Sequence, residues 1–217
     1  ITVTDGVIKI ASGDDGIHSD TKLVIGEQNG LERDPEIFVN ESIEGIESGN
    51  IYMYSGKVKV VSLDDGINAA GGASTGESKS HGEHFNPDTG QMEDNFALYI
   101  YGGSTYIQCE GDGFDANGSI YLYGGTHIIY HQDAQGNNSA LDRDAKLVID
   151  GATVFSAGGV ADNGHVDSTG SNQKIIIDTT DYAANTIVAI TNEGTVVFND
   201  EIPKRSTYTF YSSPTLT

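Results

Sequence analysis

The sequence predicts an all-β fold: a parallel β-helix, or solenoid, whose C-terminal end is capped by antiparallel strands. Three observations predict it. A short phrase recurs: Ser12–Asp20 reads SGDDGIHSD, Ser62–Ala70 reads SLDDGINAA, and looser versions occupy Ser42–Asn50 and Glu110–Gly118. Between these turns apolar and polar residues alternate with period 2, glycines punctuate the runs, and no helical period intervenes. The repeats, apart from one insertion, contain only short strands, which is the pattern of a stacked solenoid.

Five rungs can be written, opening at Asp14, Ile43, Asp64, Gly111 and Ser139. Each holds an acidic-Gly-apolar turn, a short strand, a glycine and a second strand. The alternation assigns interior columns. Ile17, Ile46, Ile67, Phe114 and Leu141 form one, just after the turn glycines. Leu23, Ile51, Leu98, Ile120 and Leu147 form a second, and Ile25, Met53, Ile100, Leu122 and Ile149 a third. On the second strand, Val58, Thr105 and His127 align, beside Val60, Ile107 and Ile129. Cys109 aligns with Ser62 and His131 and reads as a buried structural thiol; it is the only cysteine, so no internal disulfide forms.

Residues 71–96 break the period. They are polar and glycine-rich, contain Pro87, and read as an inserted surface loop. His81 and His84 with Glu83 form a weak metal candidate there, solvated loop residues being the plainer reading. After about residue 165 the segments KIIID, TIVAIT, TVVFND and STYTFYSS read as antiparallel strands. The expected organisation is therefore a β-helix over 1–164, carrying the 71–96 loop, and a β cap or appendage over 165–217.

The chain has 217 residues, a net charge of −21 and 37% hydrophobic residues. Such charge disfavours nucleic acid and anionic membranes as partners and favours cations. No apolar run approaches the ~18 residues of a membrane span. The chain starts at Ile1, which implies a mature or trimmed chain, and only about one strand precedes Asp14, so the N-terminal face is expected to be open unless the chain is truncated there or another molecule caps it.

Aligning the rungs stacks the acids. Asp15, Glu44, Asp65 and Asp112 fall in one column. His18, Glu47, Asn68, Asp115 and Asp142 fall in another, three residues on. Neighbouring rungs lie ~4.8 Å apart. Two carboxylates ~5 Å apart at an effective dielectric near 20 repel by roughly 3 kcal/mol, and a bound cation reverses that sign. Carboxylates and carboxamides are hard oxygen ligands suited to Ca²⁺, and no His/Cys cluster argues for zinc. The alternative is turn chemistry alone, in which Asp caps its own backbone and Gly accepts a positive φ. Asp14 and Asp64 precede the column and read as solvated or supporting groups.

Tyrosines are ordered too. Tyr52, Tyr99 and Tyr121 align, as do Tyr54, Tyr101 and Tyr123, six of the eleven in the chain. A flat ring with a hydroxyl suits sugar or protein contact. Stacking that only stabilises the sheet, or cover beneath the inserted loop or the C-terminal strands, are the alternatives.

Together the stretches DDGIHSD, IEGIES, DDGINAAGG, LYIYGG, GDGFDANG, LYGG and SALDRDA resemble a bacterial cell-surface carbohydrate-binding β-helix family that binds cellulose and acidic, pectin-type sugars and is related in fold to calcium-dependent pectate lyases. The resemblance runs from about Gly6 to Val160, with a weaker continuation through KRSTYTFYSSPTL. It implies a right-handed parallel β-helix, an extracellular or cell-surface location, no established catalysis, and Ca²⁺ at Asp15, Glu44, Glu47, Asp65, Asn68, Asp112 and Asp115. Family members usually carry more rungs before the first DDGI turn.

The expected function is thus non-catalytic, Ca²⁺-stabilised binding of an acidic polysaccharide or cellulose. A self-assembling filament or surface-layer subunit, built by head-to-tail stacking, is the alternative. A weak calcium-dependent lyase is a second. It needs a Lys or Arg base beside the metal; Lys57 and Lys59 point outward on the second strand, while Lys22 and Arg143 lie near the turns, Arg143 reading more simply as a salt-bridge partner.

Overall fold

The computed structural model describes residues 1–28, 34–70, 82–86, 90–132, 138–159, 170–171 and 174–217. It is all-β: among the described residues there are strands and no helix.

Two large sheets face one another. The first begins with β1 (Thr2–Val3), followed in the second by β2 (Val7–Ala11). β3 (Ile17–Ile25) belongs to the first sheet, β4 (Glu36–Glu41) to the second, then β5 (Ile46–Met53) and β6 (Lys57–Val61) repeat that alternation. Beyond β5 the long first-sheet strand divides in two. β7 (Ile67–Ala69) pairs in parallel with the first half of β5, while β10 (Leu98–Ile100) pairs with the second half. β8 (Glu83–Asn86) and β9 (Gln91–Asp94) lie between them as an antiparallel hairpin. The remaining rungs run β11 (Ser104–Gln108), β12 (Phe114–Ala116), β13 (Ile120–Leu122), β14 (Thr126–Tyr130), β15 (Leu141–Arg143), β16 (Leu147–Ile149) and β17 (Thr153–Gly158). All pairings between successive rungs are parallel.

The expected register is observed. Ile17, Ile46, Ile67, Phe114 and Leu141 are successive partners, as are Leu23, Ile51, Leu98, Ile120 and Leu147. These side chains form one core with Ile37, Val39, Val58, Val60, Ile107, Cys109 and Ile129 from the facing sheet. Period-2 alternation specifies that register because a one-residue slip would turn every apolar side chain to solvent. Thr105 and His127, polar members of the interior column, satisfy one another: Thr105 Oγ1 and His127 Nδ1 lie 3.1 Å apart, and His127 Nε2 is 3.0 Å from Gly124 O. Burial pulls the His127 pKa down to about 4, so it stays neutral. Cys109 is fully buried and burial pushes its thiol far up.

The turn glycines serve a purpose other than the expected one. Gly16, Gly45, Gly66 and Gly113 do not have positive φ. A Cβ on each would instead collide with a core side chain of the facing sheet, Val39, Val60, Ile107 and Ile129 respectively. Close packing, not left-handed backbone, demands glycine there. Positive φ belongs to Gly26, Gly56, Gly103, Gly125 and Gly151, which lie between the first-sheet strand of each rung and the second-sheet strand that follows it.

At the C-terminal end the pairing changes sense. β18 (Ile175–Asp178), β19 (Thr186–Asn192), β20 (Thr195–Ile202) and β21 (Tyr208–Ser212) are the four expected strands. β21 joins β17 antiparallel and β18 joins β21. Tyr208 and Phe210 enter the main core. The β19–β20 hairpin packs Val188, Ile190 and Ile202 on Tyr130, Phe155 and Tyr211, so it covers the outer face of the second sheet.

The insertion, which the sequence presents as a surface loop, contains strands. Its described part is the β8–β9 hairpin, whereas 71–81, and with it His81, and 87–89 lie outside the described residues.

Candidate functional site

Each acidic turn is built by the same local geometry. Glu44, Asp65 and Asp112 receive, through their backbone carbonyls, the N–H groups of Gly16, Gly45 and Gly66 from the preceding rung. Asp15, Glu44, Asp65 and Asp112 therefore stack. Three residues on, His18 pairs with Glu47, Glu47 with Asn68, Asn68 with Asp115, and Asp115 with Asp142. The structure brings all the expected metal ligands into these two rows, the first in the turns and the second on the first-sheet strands that follow them. Asp14 and Asp64 are exposed beside them.

The middle of the rows is desolvated. Glu44 Oε2 accepts a 2.8 Å hydrogen bond from Asn68 Nδ2. The other end of that amide, Asn68 Oδ1, is buried with no hydrogen-bond partner, in a residue only 7% exposed. Burying an acceptor unmade costs about 1–3 kcal/mol. Asp65 Oδ1 accepts the Asp112 N–H at 2.7 Å, and Asp112 Oδ1 accepts the Ser139 N–H. A Cβ at Gly111 would collide with Asp65 Oδ1, so this glycine makes room for the carboxylate. Burial, with neighbouring carboxylates adding to it, raises Asp65 to about 6, Asp115 to about 7 and Asp112 to about 8. In Asp65 and Asp112 the backbone hydrogen bonds oppose that rise. An oxygen-only donor set of this kind, short of positive charge, suits a hard divalent cation.

The N-terminal end differs. His18 Nδ1 lies 2.9 Å from Asp15 Oδ2 and 3.1 Å from Glu47 Oε2, while Nε2 lies 3.1 Å from Asp20 Oδ1. One ligand atom from each of Asp15, His18 and Glu47 falls within 4.8 Å of the others. Burial opposes charge on His18, but the Asp20 and Asp15 hydrogen bonds and the Glu47 charge outweigh it and raise its pKa. Glu47 is raised by burial first, then by Glu44 and Asp15. The sequence places His18 in the column but offers no His/Cys cluster, so its part in a ligand set is visible only in the structure. The signal was its register with Glu47. An imidazole with two carboxylates accepts borderline metals as well as hard ones.

The two tyrosine columns have different surroundings. Tyr52 and Tyr99 are buried and Tyr121 is half-buried. The hairpin fastens all three: Tyr52 donates to Glu93 Oε2 at 2.5 Å, Tyr121 donates to Asp94 Oδ2 at 2.7 Å, and the Asp94 N–H donates to Tyr99 Oη at 2.9 Å. Glu93 and Asp94 were not singled out from the sequence. Tyr54, Tyr101 and Tyr123 remain more open, the latter two 40% and 39% exposed. Within both columns the rings stack at centroid separations of 4.9–5.3 Å. Their faces are thereby occupied by one another, and Tyr54, Tyr101 and Tyr123 present edges and hydroxyls.

Lys57 and Lys59 are exposed on β6 of the second sheet, Lys57 Nζ 4.0 Å from Glu36 and Lys59 over the Tyr106 ring. Arg143 is half-buried beside Asp142, whose Oδ1 accepts the Arg143 N–H at 3.0 Å. Comparison with protein-family models, curated proteins and solved structures finds no match to the chain.

Proposed function

We propose that the chain is a right-handed parallel β-helix that holds Ca²⁺ between its rungs and uses it to bind an acidic polysaccharide outside the cell, without turnover. The observation that carries this reading is the pair of carboxylate rows around the orphaned Asn68 oxygen. Asp65, Asn68, Asp112, Asp115 and Asp142 would hold cations in the middle, with Glu44, and Asp15 and Glu47 would do so at the N-terminal end. The cation would neutralise the rows and offer free coordination positions to a sugar carboxylate, letting a polyanion dock on a chain of net charge −21. The resemblance of the DDGI turns to those of cell-surface carbohydrate-binding β-helices supports the same substrate class. The hydroxyl edges of Tyr54, Tyr101 and Tyr123 would add polar contacts along the neighbouring column. Lys57 and Lys59 lie on the opposite sheet, away from the rows, which removes those two as bases for lyase chemistry, while Arg143 stays beside Asp142.

The test is retention on immobilised polygalacturonate, with Ca²⁺ and after chelation, in protein shown by circular dichroism to be folded in both states. Retention that requires Ca²⁺ is expected. Equal retention in both states, or none in either, contradicts the reading.

A further inference from the structure

The N-terminal end of the rows differs in kind from their middle. The middle offers oxygen alone; His18 is the one imidazole in either row. Asp15 and His18 come from the first rung, and Glu47 comes from the second, in register with His18. Among the described residues Ile17–Ser19 pairs with β5 alone, since β1 reaches only Val24 and Ile25. An ion held here would fasten the outermost strand to the rung behind it.

The spacing of the three groups suits a small ion. His18 Nδ1 lies 2.9 Å from Asp15 Oδ2 and 3.1 Å from Glu47 Oε2. Bonds of about 2.1 Å, usual between Zn²⁺ and an imidazole nitrogen or carboxylate oxygen, hold neighbouring ligand atoms roughly 3.0–3.4 Å apart. The Ca²⁺ bonds of about 2.3–2.6 Å put right-angled ligands roughly 3.3–3.7 Å apart. An imidazole nitrogen also favours borderline ions over Ca²⁺.

A fourth side chain, outside the three, supports the same assignment. His18 Nε2 lies 3.1 Å from Asp20 Oδ1. An imidazole that ligates a metal through one nitrogen characteristically donates its other N–H to a carboxylate, which fixes the tautomer and raises the basicity of the ligating nitrogen. Asp20 stands at an irregularity in β3: Ser19 pairs with Ser48 and Lys22 with Asn50, so Asp20 and Thr21 together oppose Gly49. Such a β-bulge re-aims a side chain. Gly49 permits it, because a Cβ there would press on the carbonyl oxygens of Thr21 and Asp20 at 2.9 and 3.0 Å. An open hollow of about 500 Å³, lined by Asp14, Asp15, His18 and Glu47, connects the set to solvent. The His18 side chain is 38% exposed and those of Asp15 and Glu47 16% and 15%. An ion can therefore enter, and positions beyond its three protein ligands face water.

We propose that Asp15, His18 and Glu47 form a site for a borderline divalent ion of the Zn²⁺ class, selective against Ca²⁺, with Asp20 orienting the imidazole. This goes beyond the Ca²⁺ reading and departs from it at this end of the rows only; Asp65, Asn68, Asp112 and Asp115 remain a hard-cation set.

The test is calorimetric titration of the chelator-stripped whole chain with ZnCl₂ in excess CaCl₂, with Co²⁺ as the optical substitute. His18→Gln removes the imidazole and keeps a hydrogen-bonding side chain, and Glu47→Gln removes one carboxylate. His84→Gln, in β8, is the control. A single saturable Zn²⁺ site is expected that excess Ca²⁺ does not displace, at least tenfold weaker in His18→Gln and Glu47→Gln and unchanged in His84→Gln. The visible Co²⁺ bands should be lost in His18→Gln, with circular dichroism unchanged in every variant. Three outcomes overturn the site: no saturable Zn²⁺ uptake, which would leave His18 as a hydrogen-bonding partner of the carboxylates only; uptake indifferent to His18→Gln; and uptake abolished by Ca²⁺. None of the three touches the proposed function, provided that Ca²⁺-dependent retention on polygalacturonate persists. Zn²⁺ uptake through His18 by a chain that binds no Ca²⁺ supports this site and overturns the proposed function.

Discussion

Replacing Asp115 by Asn removes one charge from the middle of the rows without changing side-chain volume. Asp115 stands between Asn68 and Asp142 in register, and its carboxyl, pushed up to about 7 chiefly by burial, also feels Asp65, Asp142 and Glu44. At a rung spacing of ~4.8 Å and an effective dielectric near 20, each neighbouring carboxylate contributes roughly 3 kcal/mol of repulsion. Solvent reaching the partly buried rows reduces this to about 1 kcal/mol per neighbour. Asp142 on the next rung and Asp65, the strongest charge acting on Asp115, then give about 2 kcal/mol, or about 4–8 °C in a chain of this size. In chelator-stripped protein at pH 8, Asp115→Asn is expected to raise the melting temperature by that amount. At pH 5.5, where Asp115 is already protonated, the gain shrinks toward zero. In saturating Ca²⁺ the order inverts, because the native chain gains a stabilisation the variant has lost. Differential scanning calorimetry at both pH values, with and without Ca²⁺, reads all four cases. A variant less stable than the native chain at pH 8 without Ca²⁺ would refute the reasoning, since Asp115 would then be a structural hydrogen-bonding group and not one of a repelling row.

Other consequences follow from the same geometry. Asp65, Asp112 and Asp115 have folded pKa values raised to about 6, 8 and 7 from an ordinary 3.8, so the folded chain holds more protons than the unfolded one between about pH 4 and 8. Their contribution to stability is complete below about pH 4 and is lost as pH rises through 8; urea midpoints of stripped protein should fall across that window, and a flat profile would contradict the shifts. Gly45→Ala places a Cβ against the Gly66 carbonyl and Val60 Cγ1, neither a flexible chain end; a loss of about 1–3 kcal/mol is expected in urea unfolding, and a neutral result would show that the turn has slack. Tyr52→Phe removes the hydroxyl from Glu93 Oε2, which keeps Asn86 as partner. The cost is about 1–3 kcal/mol, felt at the hairpin, so limited proteolysis should cut within residues 83–94 faster than in the native chain; unchanged cleavage would mean that the hairpin is held elsewhere.

The stacking was legible because it is written in a local repeat. Ile17, Ile46, Ile67, Phe114 and Leu141 occupy the same place after each turn, and burial on one face allows only one register. The acid columns followed from that register without further information. The reason for the turn glycines did not follow, because it depends on Val39, Val60, Ile107 and Ile129 arriving from the other sheet. The hairpin reads as a loop in the sequence because strands of four residues among polar neighbours give little periodic signal. Its role depends on pairs such as Tyr52 with Glu93, 41 residues apart and in no repeat. His18 was similar: its chemistry appears only when Asp15 beside it and Glu47 on the next rung converge on one nitrogen.

The most direct measurement is titration of chelator-stripped protein with CaCl₂ by isothermal calorimetry at pH 7, in two buffers of different ionisation enthalpy. Asp112, raised to about 8, and Asp115, raised to about 7, carry protons in part of the stripped population at that pH. Cation binding to the rows must therefore displace protons. Saturable binding whose heat differs between the buffers, with net proton release, is the predicted result. Absence of binding, or binding with no proton release, would contradict the placement of cations among these carboxylates.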